Sequence, residues 1–191
     1  MVKTSLLILL TLIPPIWLAI YIAHFTIYSP HFDQLSEDVR LEAHYLRGTL
    51  TWNDFWMQMA AEHRPIVPRL ITLGLAILTN GDLRADTVFN FAVVFAKLFN
   101  IWKLLKLTGC SEWWLPFASL TLFLPAGNDT WQTSSQDYIQ VLCWCLTAIP
   151  LASNTRWAWP GCVILCIVSM FTLAGGFVAW PMSALLLWRR K

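Results

Sequence analysis

The sequence predicts an all-α integral membrane protein, with about six transmembrane helices and amphipathic juxtamembrane helices in a long first outer loop. Of its 191 residues, 57% are hydrophobic and only 13% are charged, whereas a soluble domain carries about 25% charge. Several apolar runs approach the ~20 residues that cross a ~30 Å hydrocarbon core. Inside that core every backbone N–H and C=O must pair internally. No segment alternates like a barrel strand, so helices are the expected solution.

The apolar segments divide one membrane domain, residues 1–191, into three parts. Residues 5–28 form the first span behind Lys3. This segment is too long for a cleavable signal peptide and lacks a small-x-small cleavage site, so we interpret it as a retained signal anchor. Residues 29–86 form the outer loop, and residues 87–191 form helical hairpins.

The outer loop contains two predicted surface helices followed by a short apolar segment. Residues 34–47 carry apolar side chains at helical spacing and a glycine at the end, which predicts an amphipathic helix on the membrane surface. A second helix begins at Thr51, which can form a capping box with Asp54, and Pro65 stops it. Residues 66–78 are short for a span and contain Arg69, so we expect them to lie along the interface or re-enter.

The basic residues predict which side of the membrane is cytoplasmic. If residues 66–78 do not cross, both termini are cytoplasmic and the inner side satisfies the positive-inside rule. Glu112 is then the only inner carboxylate, and Lys97 is the one basic residue well inside a span, where it snorkels or pairs. If residues 66–78 cross, the later loops invert. The residues that lie inside in the first arrangement are Lys3, Lys103, Lys106, Arg156, Arg189, Arg190 and Lys191.

Charge and cysteine usage exclude some classes of function. The net charge of +2 is small and no Lys/Arg run occurs, so nucleic acid is not an expected partner. Four of the five cysteines fall inside predicted helices, where they are interpreted as small packing residues. Cys143 and Cys145 resemble a ligand pair, but no His or carboxylate lies near enough in sequence to complete a metal site. No metal site is predicted, and the cofactor stays unknown.

Two polar groups in the outer loop are candidates for chemistry. Asp33 follows the first span, where a carboxylate can act as a general base toward an acceptor hydroxyl or amine or cap the next helix. Glu62, His63, Arg64 and Arg69 gather where a surface helix meets the short apolar segment. The planar fork of Arg suits a phosphate at the bilayer surface. The alternatives are an internal Glu62–Arg69 ion pair or Arg snorkelling to headgroups.

A third polar group lies in the loop of residues 128–137. Asp129 can face Asp33 across a cavity and provide the paired carboxylates of an acid–base step. An ordinary solvated turn is the alternative. Trp131 in the same loop suits sugar stacking or interfacial anchoring.

The order of these features resembles the GT-C superfamily of membrane glycosyltransferases, which use polyprenyl-phosphate-linked sugars. The most specific likeness is a W-x-Q-x-x-x-E-H-R-x-x-x-P-R-L signature, present from Trp56 to Leu70. A later Trp-Gln loop at Trp131 and Gln132, and a Gly-Gly-x-x-x-Trp-Pro turn that begins at Gly175, are also similar to that group.

The resemblance implies transfer of a hexose or pentose from a polyprenyl phosphate carrier to an acceptor on the outer side of a bacterial inner membrane. It also implies a set of site residues. These are Asp33, Glu62 and Asp129 in catalysis, His63, Arg64 and Arg69 at the lipid phosphate, and Trp131 and Gln132 at the acceptor or sugar.

Members of the superfamily are usually longer than this chain. We therefore expect the chain to match only the N-terminal part of such an enzyme, as the product of a truncated gene, as one half of a split enzyme that a second chain completes, or as a reduced non-catalytic relative. The alternative is a non-catalytic membrane subunit or scaffold that docks through its outer loop. A small transporter is a third hypothesis, less favoured because Lys97 is nearly alone as a charge within the spans.

Overall fold

The computed structural model describes residues 2–25, 38–58, 64–82, 84–124, 136–153 and 158–188, and within these ranges all regular structure is helical. The all-α prediction is confirmed for this part of the chain. The α-helices are α1 (Val2–Phe25), α2 (Val39–Leu46), α3 (Trp52–Trp56), α4 (Ile66–Thr79), α5 (Arg84–Thr108), α6 (Leu115–Leu122), α7 (Gln136–Ser153), α8 (Ala158–Met170) and α9 (Ala179–Trp188). Short 3₁₀ helices at Glu112–Trp114 and Ala174–Val178 precede α6 and α9.

Two helices in the described ranges are long and apolar enough to cross a membrane: Thr4–His24 within α1, and all of α5. At 1.5 Å per residue, their 21 and 25 residues extend roughly 31 and 38 Å. The apolar stretches of α4, α7 and α8 are shorter, at 10–17 residues. Helix α4, with 14 residues, extends only about 21 Å, which is less than the hydrocarbon core.

Helices α1, α5 and α6 pack around one apolar cluster. Leu18, Val94 and Phe123 are almost fully buried at its centre. The ring of Phe91 meets Phe123 edge to face at 5.6 Å, and Phe95 does so at 5.1 Å. These T-shaped contacts place the positive ring edges against the negative ring faces. The cluster fixes how α1 and α5 approach each other through α6.

Helices α5, α7, α8 and α9 form a second packed group, in which three of the predicted packing cysteines are buried. The Cys162 thiol lies 3.6 Å from the Thr147 carbonyl oxygen. The Cys166 thiol lies 3.5 Å from the Ser183 hydroxyl. All five cysteines are free, and the burial of Cys143, Cys162 and Cys166 agrees with their predicted packing role.

Lys97 on α5 is only 4% exposed. Of the two roles expected for it, snorkelling to the surface is wrong, because a snorkelling side chain keeps its ammonium group in water. Lys97 interacts with other groups inside the protein.

Of the two predicted surface helices, α3 is shorter than the sequence predicted, and the predicted start of α2 lies outside the described residues. Helix α2 is described from Val39 and ends at Leu46; Gly48 follows with φ 66°, the left-handed conformation expected of a C-terminal glycine. Helix α3 begins after Thr51 as predicted but ends at Trp56, since Met57 is extended with ψ 140°. Leu41, Phe55 and Leu73 form the small core between α2, α3 and α4.

Candidate functional site

The side chain of Arg69 closes the C-terminal end of α3. Its Nη1 donates to the carbonyl oxygen of Phe55 at 3.0 Å and to that of Met57 at 2.6 Å. The last carbonyls of a helix have no partner inside it, so a buried guanidinium donor satisfies them. Arg69 is only 3% exposed and has further interactions within the protein. Arg69 therefore fixes the extended stretch after α3.

Arg64 also contacts this part of the chain, at Trp56. Its guanidinium carbon is 4.9 Å from the ring centre of Trp56, a cation–π distance. The Trp56 ring in turn contacts Phe171 at 5.9 Å. Arg64 and Arg69, the two described residues that were predicted to bind the lipid phosphate, thus both contact residues 55–57.

The segment that leads from α8 into the Gly-Gly turn contacts the start of α4. The N–H of Val67 donates to the Phe171 carbonyl oxygen at 3.2 Å. A methyl group added at Gly176 would lie 1.9 Å from the Ser169 carbonyl oxygen, which leaves space only for glycine. Phe171, four residues before Gly175, thus contacts both Trp56 and Val67, which lie within the W-x-Q-x-x-x-E-H-R-x-x-x-P-R-L signature.

A carboxylate–histidine pair joins α2 to α3. His44 Nδ1 lies 2.9 Å from Asp54 Oδ1. The backbone N–H and the hydroxyl of Thr51 donate to the other oxygen, Asp54 Oδ2, at 2.7 and 2.8 Å. The Thr51 backbone bond, then its hydroxyl, and then His44 lower the pKa of the Asp54 carboxyl from its usual 3.8. Asp54 therefore stays ionised and orients His44.

Sequence reasoning found the Thr51–Asp54 capping box but missed His44. Its position on α2 carries no motif, and ten residues separate it from Asp54. Only the packing of α2 against α3 reveals the pair. A neighbouring carboxyl on α2, that of Glu42, has its pKa raised from the usual 4.5 by burial.

Buried polar groups also lie near the Gly-Gly turn and at the start of α5. Gln140 Nε2, Ser169 Oγ and Asp86 Oδ1 are buried without a hydrogen-bond partner in the described parts of the chain. A Cβ at Gly175 would approach Gln140 Nε2 to 2.8 Å. Donors and acceptors of this kind are available to a ligand or an ordered water.

Six of the eight sequence-predicted site residues lie outside the described residues: Asp33, Glu62, His63, Asp129, Trp131 and Gln132. Their predicted roles stay predictions. Arg64 and Arg69 are described and come together at residues 55–57. Within the described ranges no group of three or more His, Cys, Asp or Glu side chains could hold a metal ion.

The chain was compared with protein-family models, with curated proteins and with solved structures, and none of the three comparisons finds a match.

Proposed function

We propose that this chain is a GT-C-like membrane glycosyltransferase, or the N-terminal part of one completed by a second chain. It transfers a sugar from a polyprenyl phosphate carrier to an acceptor on the non-cytoplasmic side of a bacterial inner membrane. The observation that carries the proposal is the convergence of Arg64 and Arg69 on residues 55–57. A phosphate-bearing lipid needs such fixed cationic donors beside apolar helices.

Membrane insertion is supported by the apolar side chains that the packing leaves exposed. In the most apolar 18-residue stretch of α1 only 17% of the residues are buried, and in the corresponding stretch of α5 33% are buried. On α1, Ile8, Ile13 and Ile20 are 53%, 51% and 64% exposed. Large apolar patches on soluble monomers are rare. We propose about six spans in total, with both termini cytoplasmic.

The proposed chemistry assigns one task to each group of residues. Asp33 takes the proton of the acceptor hydroxyl while the acceptor oxygen bonds to the anomeric carbon. The bond between that carbon and the carrier phosphate breaks, and its electron pair leaves with the phosphate. Arg64, fixed over Trp56, stabilises this charge. Arg69 holds the backbone of residues 55–57 and adds its own positive charge. By the resemblance, Glu62 is a further catalytic group and His63 a further contact of the lipid phosphate.

The contacts of Arg64 and Arg69 suggest different roles for these two residues at the lipid phosphate. Arg69 Nη1 is occupied by two carbonyl oxygens, whereas Arg64 is half-buried and its described contact is with the face of a ring. In the proposed site Arg64 is therefore the main direct phosphate contact, and Arg69 mainly positions the segment. Asp129, Trp131 and Gln132 complete the site from the later outer loop at the sugar or acceptor.

The proposal is tested by expressing the complete natural gene locus and measuring sugar transfer. Membranes that contain the chain are supplied with radiolabelled polyprenyl-phosphate hexose and pentose donors, and release of polyprenyl phosphate is measured. Asp33→Asn should lower release at least 100-fold, in the range of general-base loss of about 10²–10⁴. The matched control, Asp38→Asn, makes the same change five residues later and should leave release within about twofold. Equal activity of both variants would remove Asp33 from the mechanism.

A second candidate function, a non-catalytic scaffold, is favoured by the packing of the outer helices. Arg69, His44 and Asp54 are all engaged in holding α2, α3 and α4 together, and Trp52 is left 67% exposed on their surface. An aromatic residue on a rigid surface suits a protein partner. If the scaffold is correct, Trp52→Ala abolishes capture of the partner chain, and Asp33→Asn has no effect on the activity of the complex.

A further inference from the structure

A cavity of about 590 Å³ lies between the C-terminal part of α1 and the N-terminal part of α5. Phe91 lines the cavity and packs edge-on against Phe123 of the apolar cluster. In the described residues α6 has only eight residues, about 12 Å of helix. It therefore packs between α1 and α5 over a fraction of their length.

The cavity has an apolar wall and a polar rim. Ala19, Ile22 and Ala23 from α1 face Val88 and Phe91 from α5. The rim carries three groups that can donate hydrogen bonds, His24, Arg84 and Thr87, near the C-terminal end of α1 and the N-terminal end of α5. If α1 and α5 cross the membrane, this rim lies where the lipid phosphates are.

Asp82 holds Arg84 in a fixed orientation at the rim. Arg84 Nε lies 2.9 and 3.1 Å from the two carboxylate oxygens, and Nη2 is 2.6 Å from Oδ2. The hydrogen bonds from Arg84 lower the pKa of the Asp82 carboxyl from its usual value, so the pair persists at neutral pH. An oriented guanidinium loses less freedom when it binds a further anion. Both His24 and Arg84 make other contacts within the protein. A ligand at the rim would therefore bind side chains that the protein already holds in place.

We propose that this cavity binds one membrane phospholipid, with the phosphate on the rim of His24, Arg84 and Thr87 and an acyl chain along Ala19, Ala23 and Val88. The volume lies within the ~300–1,000 Å³ of small-molecule sites. Small alanines let the chain lie close to the helix backbone, and the donors match phosphate oxygens. The proposal rests on the membrane insertion proposed above but not on sugar transfer.

The test uses the delipidated full chain in detergent and native mass spectrometry with added phosphatidylglycerol. One lipid should bind at least fivefold more tightly than diacylglycerol with the same acyl chains, which lacks the phosphate. Ala23→Phe fills the cavity and should weaken phosphatidylglycerol binding at least tenfold. Its matched control, Ala92→Phe, places the same ring on an exposed position of α5 that does not line the cavity, and should bind as wild type.

The rim is tested by charge removal. Arg84→Gln should weaken phosphatidylglycerol binding several-fold, whereas Lys103→Gln, an exposed charge in the C-terminal part of α5, should not. Equal binding of phosphatidylglycerol and diacylglycerol, wild-type binding by Ala23→Phe, or displacement of phosphatidylglycerol by an equimolar polyprenyl phosphate would each overturn the proposal. Extraction of the chain from membranes by alkaline carbonate instead refutes membrane insertion, so the two failures are distinguishable.

Discussion

The hydroxyl of Ser119 on α6 donates to the carbonyl oxygen of Thr11 on α1 at 2.6 Å. The residue four positions after Thr11 is Pro15, which has no N–H and leaves that carbonyl without its helical partner. Ser119 is fully buried. A side chain 108 residues away thus satisfies the backbone group that proline leaves unpaired, as an apolar environment requires.

Ser119→Ala should destabilise the protein by about 1–2 kcal/mol, because the buried Thr11 carbonyl loses its only described donor. The control is Thr121→Ala, whose exposed hydroxyl bonds only carbonyls of its own helix and should cost less than about 0.5 kcal/mol. Denaturant unfolding in detergent, followed by tryptophan fluorescence, measures both.

Pro15→Ala restores the N–H that pairs with Thr11. In that background Ser119→Ala should cost less than about half of its cost in the wild type, and the double-mutant cycle should show this as a coupling energy. An equal cost in both backgrounds would mean that the Ser119 bond does not replace the missing helical bond.

Gly176→Ala should be strongly destabilising, by about 3 kcal/mol or more, because its Cβ would lie 1.9 Å from a backbone carbonyl oxygen that cannot rotate away. Gly74→Ala makes the same change within α4, where nothing lies within 4 Å of the new Cβ. It should be neutral or stabilising by up to about 1 kcal/mol, since alanine favours the helix. Thermal unfolding of the two variants under identical conditions decides, and similar melting temperatures would contradict the close approach at Gly176.

Arg69→Ala should lower the free energy of unfolding by about 3 kcal/mol, because two carbonyl oxygens lose a charged donor. Arg64→Ala should cost only about 0.5–1 kcal/mol, the value of a partly exposed cation–π contact. If Arg64 is the main phosphate contact, the Arg64→Ala variant should weaken binding of a polyprenyl phosphate more than the Arg69→Lys variant does. Isothermal titration in detergent measures the binding, and the reverse order would assign the direct contact to Arg69.

The Asp54 carboxylate predicts a loss of stability in acid. Its pKa is lowered in the folded protein, so its contribution is complete above the unfolded value of about 3.8 and is lost as the pH falls through the folded value. The melting temperature should therefore stay constant down to about pH 5 and fall as the pH drops further, and it should fall less steeply in Asp54→Asn. Thr51→Ala should also flatten the curve, whereas Thr49→Ala, an exposed neighbour that bonds the His44 carbonyl, should keep the wild-type slope.

Much of the local structure could be predicted from the sequence. Hydrophobic composition predicted helices, Thr51 and Asp54 predicted the start of α3, and Gly48 predicted the end of α2. These signals act within a few residues, so they can be read from neighbours along the chain. The end of α3 was not predictable, because a side chain of the next helix, Arg69, binds its last carbonyls.

The helical class and the long apolar stretches α1 and α5 were determined by the sequence alone, since burial of apolar area and internal backbone pairing act on composition and length. The tertiary structure alone decided that Arg64 and Arg69 converge on residues 55–57, that His44 pairs with Asp54, and that Ser119 completes the helix broken at Pro15. Each of these contacts joins groups from different helices or from the segments between them. Their distances depend on how whole helices pack, and no local pattern in the sequence encodes that packing.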